Sequence, residues 1–199
     1  RALGFGEPKF AHVPMILGPD GSRLSKRHGA TSTGEYRRQG VLAPALLNFL
    51  ALLGWSPGKN KELLDLNELI KSFSLKRITG KSAVFNVEKL IWMNSVYISR
   101  LSDKEMVSLC RPFLEKAGFL DAEDKINRLP KIIPLFKKRI KLISDIVDSA
   151  GYFFKEKIEY TPEARAKLNN KELLKNIKNK AMDINPFNLQ NIEVSLRQI

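Results

Sequence analysis

A mainly α-helical fold with a small β element at its front is what this sequence predicts, and three observations predict it. Apolar residues recur at helical spacing, as in Leu46, Leu47, Leu50 and Leu53, or Met106, Leu109, Phe113 and Leu114. Capping signals open such runs: Asp65 with Glu68, and Ser102 with Glu105, have capping-box spacing. Only Phe10 to Leu17 reads as a strand, and Pro14 interrupts it.

Taken in order, residues 1 to 20 open on a short helical remnant, and His12 falls in the strand that follows. Gly18-Pro19-Asp20-Gly21 is a turn, because Pro presets one φ and Gly tolerates the next. Ser22 to Gly29 is a polar, basic loop. Glu35 to Gln39 forms a short helix that Gly40 ends. Pro44 suits the first turn of the next helix, which Gly54 stops. Asp65 opens a helix over 66–73, and residues 74–85 are irregular. Asn86 caps a helix over 87–94. The helix begun at Ser102 ends at Gly118. Short helices are expected over 121–129, 133–140 and 142–150, punctuated by Pro130 and Pro134. Thr161-Pro162 is a start signal for a helix over 162–168; another follows over 171–182, and Asn188 caps a last one over 189–199. Composition shifts near Gly29 and near Ser99 suggest boundaries.

Composition narrows the function. A chain of 199 residues with 43% hydrophobic and 28% charged residues is an ordinary globular one. No apolar run reaches the roughly 20 residues that span a bilayer, so no membrane segment is expected. The single cysteine, Cys110, makes no internal disulfide and reads as a small core residue, which suits a reducing cytoplasm. No metal-ligand spacing is present, and no protein-bound metal is expected. The net charge of +13 points to a polyanionic partner, either nucleic acid or an anionic membrane surface. The charge runs through periodic apolar segments, so it marks a folded basic surface rather than a disordered arm.

The stretch that carries chemistry is Gly18 to Ala30, a glycine-flanked loop holding Arg23, Ser25, Lys26, Arg27 and His28. A loop of this kind can close on a phosphate chain and stabilise developing charge, or it can be a solvated basic turn. Arg23-Leu24-Ser25-Lys26-Arg27 closely resembles the "KMSKS" signature of class I aminoacyl-tRNA synthetases in the form used by the glutamyl branch. Arg27 to Ser32, Glu35-Tyr36-Arg37, Leu46 to Trp55, Lys81 to Asn86 and Lys89 to Asn94 resemble blocks of bacterial-type glutamyl-tRNA synthetases in the same order. Where Arg23 stands, that family often has Lys, so the cation is kept.

The resemblance implies a mainly α fold in three parts. These are the end of the catalytic domain with its signature loop (1–29), a stem-contact domain (30–98) and the first helical anticodon-binding subdomain (99–199), the second being absent. It implies ATP-dependent attachment of glutamate to tRNA(Glu), with Mg2+ accompanying ATP as substrate. Lys26 would be the catalytic cation on the phosphates, and Arg23, Leu24, Ser25 and Arg27 would complete the ATP site. Ser25 would bond backbone or phosphate, and Leu24 would pack under adenine or anchor the loop. The family's other ATP signature, "HIGH", and its glutamate pocket lie upstream. The chain, which opens on Arg1, is therefore expected to be a piece that is inactive alone, cytoplasmic and monomeric.

RNA contacts are expected at Arg77, Lys81 and Ser82, in a loop with cations, hydroxyls and a glycine, although a plain surface loop has the same composition. They are also expected at Lys138 and Arg139, in the densest basic cluster, which includes Lys131, Lys137 and Lys141; part of that cluster must be solvated surface. Arg139 resembles a family arginine near the anticodon. Trp55 and Trp92 both end apolar helical runs, so core packing is favoured over base stacking at both. The rival reading is a non-catalytic helical RNA-binding module.

Overall fold

The computed structural model describes residues 4–6, 10, 12–25, 32–58, 60–158, 160–186 and 188–197. The chain divides into two compact units, Arg1–Lys155 and Glu156–Ile199.

The first unit starts with β1 (Ile16–Leu17), which pairs in parallel with β2 (Ala83–Val84), Ile16 opposite Ala83 and Leu17 opposite Val84. The strand expected from Phe10 is this short because Pro14 cannot donate to a ladder; His12 and Val13 are exposed and outside it. Of the helical remnant expected at the front, Gly4 to Gly6 are not helical, and residues 1–3 lie outside the described residues. Helix α1 (Thr33–Arg38) opens on Ser32, whose side chain accepts from Glu35 N, and Gly40 follows its end with φ +85°. Helix α2 (Ala43–Ala51) has Pro44 in its first turn and buries Ala45, Asn48 and Phe49. The capping box of α3 (Leu66–Ser72) is formed by Asp65 and Glu68.

Helix α4 (Val87–Arg100) runs past the expected end at Asn94. Asn94 is fully buried and uses its amide on neighbouring backbone, so it does not interrupt the helix. Ser95 and Ser99 return their hydroxyls to the carbonyls of Trp92 and Val96, as mid-helix serines can. Helix α5 (Asp103–Lys116) has the Ser102–Glu105 capping box and continues through Pro112; Gly118, at φ +74°, lies beyond its end.

Helix α6 (Glu123–Ile132) also passes its expected end, because Pro130 sits in the last turn and removes only the bond to the Ile126 carbonyl. The helices expected over 133–140 and 142–150 are broken instead. A 3-10 turn covers Ile133–Phe136, another covers Ile143–Asp145, α7 covers only Ile146–Ala150, and a 3-10 turn over Gly151–Phe153 follows.

The main core gathers Leu42, Ala45 and Ile98 with Met106, Cys110, Leu114 and residues up to Phe154, so apolar packing runs unbroken across residue 98. A second cluster holds Tyr36, Val41, Phe49, Phe85, Leu90 and Met93, with Phe49 edge-on to Phe85 at 5.1 Å. Trp55, Leu64 and Leu69 form a third. Burial of Cys110 pushes its thiol up to about 12, which keeps it protonated and inert.

In the second unit, α8 (Pro162–Lys167), α9 (Lys171–Met182) and α10 (Leu189–Leu196) open on the side chains of Thr161, Asn170 and Asn188. The last ends at Leu196, short of the expected 199; Gln198 and Ile199 lie outside the described residues. Among the described residues no helix is long and apolar enough to cross a membrane.

Candidate nucleotide and RNA-binding surfaces

The signature loop leaves the sheet through a closed turn. Gly21 N donates to Gly18 O at 3.0 Å, and Gly18 N to Ser22 O at 2.8 Å. Gly21 has φ +77°, which glycine adopts without strain. The Asp20 carboxylate accepts from Ser22 N at 3.0 Å and from Ser22 Oγ at 2.9 Å. The chain then runs back along β1: Arg23 bridges antiparallel to Leu17, and Leu24 N donates to Ile16 O at 3.0 Å.

Extended backbone alternates its side chains. Arg23 is accordingly exposed, while Leu24 is half-buried against the second cluster, which also takes in Ile16. Ser25 is exposed. Lys26, Arg27 and His28 lie outside the described residues, and description resumes at Ser32, the cap of α1. In α1 the Arg38 guanidinium bonds Glu35 and holds its carboxyl below the usual carboxylate range.

The second candidate surface is the return into β2. Ser74 caps a 3-10 turn over Leu75–Arg77, Ile78 bridges antiparallel to Trp55, and Thr79 N donates to Gly54 O at 2.9 Å. Arg77 spends Nη1 on the Pro57 carbonyl at 2.8 Å; a guanidinium has five donors, so others remain. Thr79 Oγ1 donates to Lys81 O at 3.2 Å. Lys81 and Ser82 are exposed and immediately precede β2. The parallel register sets this end of β2 beside the Met15 end of β1, opposite the end from which the signature loop leaves.

The tryptophans separate. Trp55 is buried, 5.7 Å from Phe73, as expected. Trp92 is 45% exposed, against expectation. Helix α4 buries Leu90, Met93, Asn94 and Ile98, and Trp92 stands on the opposite face at 100° per residue.

The third surface is the basic segment after α6. Lys137 is drawn inward and pairs with Asp103 at 2.6 Å, its side chain 19% exposed. Lys131, Lys138, Arg139 and Lys141 are exposed, while Phe136 and Ile140 on either side of Lys138-Arg139 are buried. Arg139 N donates to Phe136 O at 2.8 Å, which closes the turn that presents the two cations. The described candidates thus lie on three separate segments, with Lys26 and Arg27 outside the described residues.

Sequence reasoning missed the joint behind these segments. Asn94 Oδ1 accepts from Leu42 N at 2.8 Å, and its Nδ2 donates to Lys141 O at 2.7 Å and Gly40 O at 3.4 Å. Ser144 Oγ donates to Gln39 O at 2.7 Å, and Ile143 N to Gly40 O at 3.1 Å. Leu142 packs into the same cluster as Leu24. The basic turn is therefore tied to the backbone just after α1. A second buried amide, Asn48, accepts from Leu64 N and Tyr97 Oη, both at 2.9 Å. An asparagine inside an apolar helical run is the signal that could have exposed both. Among the described residues no cluster of three or more His, Cys, Asp or Glu could hold a metal ion.

Known proteins resemble the chain along nearly its whole length. Residues 1–92 match the family model described as tRNA synthetases class I (E and Q), catalytic domain, and residues 105–199 match that of an anticodon binding domain. Glutamate–tRNA ligase 2 of Caldanaerobacter subterraneus subsp. tengcongensis is 48% identical over 165 residues, covering 82% of this chain and 34% of its own length. Glutamate–tRNA ligase 1 of Thermoanaerobacter sp. is 45% identical over 172 residues, covering 85% and 36%. The chain thus spans about a third of the length of these curated relatives. A crystal structure of a glutamate tRNA ligase from Elizabethkingia meningosepticum, in complex with its amino acid, superposes with a TM-score of 0.80 at 29% identity, covering 99% of this chain and 43% of that one. With a class I catalytic stretch ahead of an anticodon-binding stretch, and relatives 48% and 45% identical over 82% and 85% of its length, the chain belongs to the glutamate–tRNA ligase family.

Proposed function

We propose that this chain supplies the ATP-site loop and the tRNA-contacting surfaces of a cytoplasmic, monomeric ligase that attaches glutamate to tRNA(Glu). The observation that carries the reading is the anchored return after β1: a closed turn, an exposed Arg23 and an inward Leu24 hold the described part of the signature stretch, up to Ser25, outside any packed helix.

Residues 1–29 end the catalytic domain, 30–98 contact the tRNA stem, and 99–199 form the first anticodon-binding subdomain. In the reaction the glutamate carboxylate attacks the α-phosphorus of Mg-bound ATP, and the bond to pyrophosphate breaks. Negative charge accumulates on the departing pyrophosphate. The Lys26 ammonium offsets it as the transition state forms, and Arg23 and Arg27 add to the positive field. Ser25 bonds a phosphate oxygen or the loop backbone. The adenylate carbonyl is then attacked by a terminal ribose hydroxyl of the tRNA, and AMP leaves. Arg77, Lys81 and Ser82 meet RNA backbone, and Lys138 with Arg139 meet the unpaired bases of the anticodon loop. The glutamate pocket belongs to the remainder of the protein, so this chain alone does not aminoacylate.

Two measurements test the reading. Lys26→Ala in the full-length ligase is expected to slow glutamate-dependent ATP–pyrophosphate exchange roughly a hundredfold, about 3 kcal/mol of barrier. The 199-residue chain is expected to bind tRNA(Glu) with an affinity that falls steeply with salt. Unchanged exchange, or affinity indifferent to ionic strength, would refute it.

A further inference from the structure

A cleft of about 1090 Å³ opens between α1 with the start of α2 on one side and α5 on the other. None of the surfaces assigned above uses it. Its floor is apolar: Leu46 and Phe113 are half-buried, and Leu109 remains 39% exposed on a helix whose Met106, Cys110 and Leu114 are fully buried. Its rim is cationic. Arg37, Arg38 and Lys116 line it, and among the described residues no aspartate or glutamate does. Arg38 is occupied by Glu35, whereas Arg37 and Lys116 are exposed and form no ion pair among the described residues. Pro112 also lines the cleft with Ser108. A proline has no N–H, so the Ser108 carbonyl lacks its helical donor and is left as an acceptor beside the cleft.

Ligand class follows from that combination. Ribose and phosphate would meet the cations but would leave the leucine and phenylalanine floor without an apolar partner, so RNA fits poorly. The volume is at the top of the roughly 300–1,000 Å³ of small-molecule pockets, and an open groove between helices is the geometry that receives a third helix. We propose that the cleft docks an acidic amphipathic helix of a partner protein. Apolar anchors at i, i+4 and i+7 would lie on Leu46, Leu109 and Phe113, and flanking carboxylates would meet Arg37 and Lys116.

The probe is a fluorescent peptide of about 15 residues, long enough for about four helical turns, with leucines at those three positions and mainly glutamate elsewhere. A scrambled isomer of the same composition serves as comparison. Anisotropy titration of the 199-residue chain is expected to give saturable binding of the amphipathic peptide alone. Leu109→Glu should weaken it at least about tenfold, as should the paired charge reversal Arg37→Glu with Lys116→Glu, which touches only exposed side chains. Lys175→Glu with Lys178→Glu, a charge change equal to that of the pair but in the second unit, should leave it within about twofold. Equal binding of the two peptides would sink the proposal, as would no binding, or a loss as large with the Lys175–Lys178 reversal. It would fall equally if tRNA displaced the peptide and Leu109→Glu weakened tRNA binding, since the cleft would then be an RNA contact.

Discussion

Ser102 opens α5 and Thr161 opens α8 with the same bond, a hydroxyl accepting the backbone N–H three residues on, at 3.3 Å and 3.2 Å. Beyond that first turn the two units part. In Arg1–Lys155, α5 buries Met106, Cys110 and Leu114 completely. In Glu156–Ile199 no described residue is buried, and Leu173 and Leu174 on α9 are each 39% exposed. A cap fixes where a helix begins; burial of its apolar face decides how firmly it persists, because isolated helices of this length are marginal in water. The described candidate residues all lie in the first unit, whose helices bury such faces.

The largest expected effect is at the joint in that unit. Gly40 has φ +85°, and a Cβ there would meet Ile143 N and Ser144 N, each at 2.6 Å. Gly40→Ala combines a strained backbone with a clash against backbone that cannot yield, so it should cost about 3 kcal/mol or more. Asn94→Ala strands the buried Leu42 N–H and the Lys141 carbonyl and should cost about 3 kcal/mol. Urea unfolding with hydrogen exchange read unit by unit is the measurement. Protection should fall in Arg1–Lys155 and hold in Glu156–Ile199; an equal loss in both would break the contrast drawn here.

The same contrast explains what the sequence disclosed. Capping residues act on their own neighbours, so Asp65, Asn86, Ser102, Thr161 and Asn188 mark helix starts that need no tertiary knowledge. Partners far along the chain were not legible. Nothing near Ile16 announces Ala83 as its parallel neighbour. Lys137 reads as one more basic residue until Asp103 is seen to draw it inward. Trp92 resembles Trp55 in sequence and differs only because α4 continues to Arg100 and turns its apolar face elsewhere. The helix expected over 133–140 failed where Pro134 begins a 3-10 turn and buried Phe136 and Ile140 set the local path. For the candidate site, the Gly18–Gly21 turn was legible, whereas the Asn94 and Ser144 tie that steadies the backbone after α1 was not; Lys26 and Arg27 lie outside the described residues.

Setting core against cap sharpens the comparison. Met106→Ala removes a fully buried side chain from the first unit and should cost about 3 kcal/mol by the same unfolding assay. Thr161→Ala removes only a cap and should cost about 1 kcal/mol. Its effect should appear as lost amide protection in α8, with no change in α5.

Acid supplies the finest test. Glu105 accepts from the Ser102 hydroxyl at 2.6 Å and from Ser102 N at 2.8 Å, and these bonds hold its carboxyl below the usual range. In the second unit, Glu163 is held low by its own backbone N–H and then by the Thr161 hydroxyl. A carboxyl lowered on folding stabilises above its unfolded value, here 4.5, and that contribution disappears as pH falls through the folded value. Both groups are fully exposed, so each contribution is small and screened. Protonation should nevertheless affect the two helices differently. Helix α5 keeps its buried face when its box is weakened, whereas α8 has little besides its cap. On titration from neutral pH to below 4, amide protection should therefore fade at α8 before α5, and Glu163→Gln should flatten the α8 profile alone. Simultaneous loss in both helices would mean that capping, and not burial, limits the stability of α5.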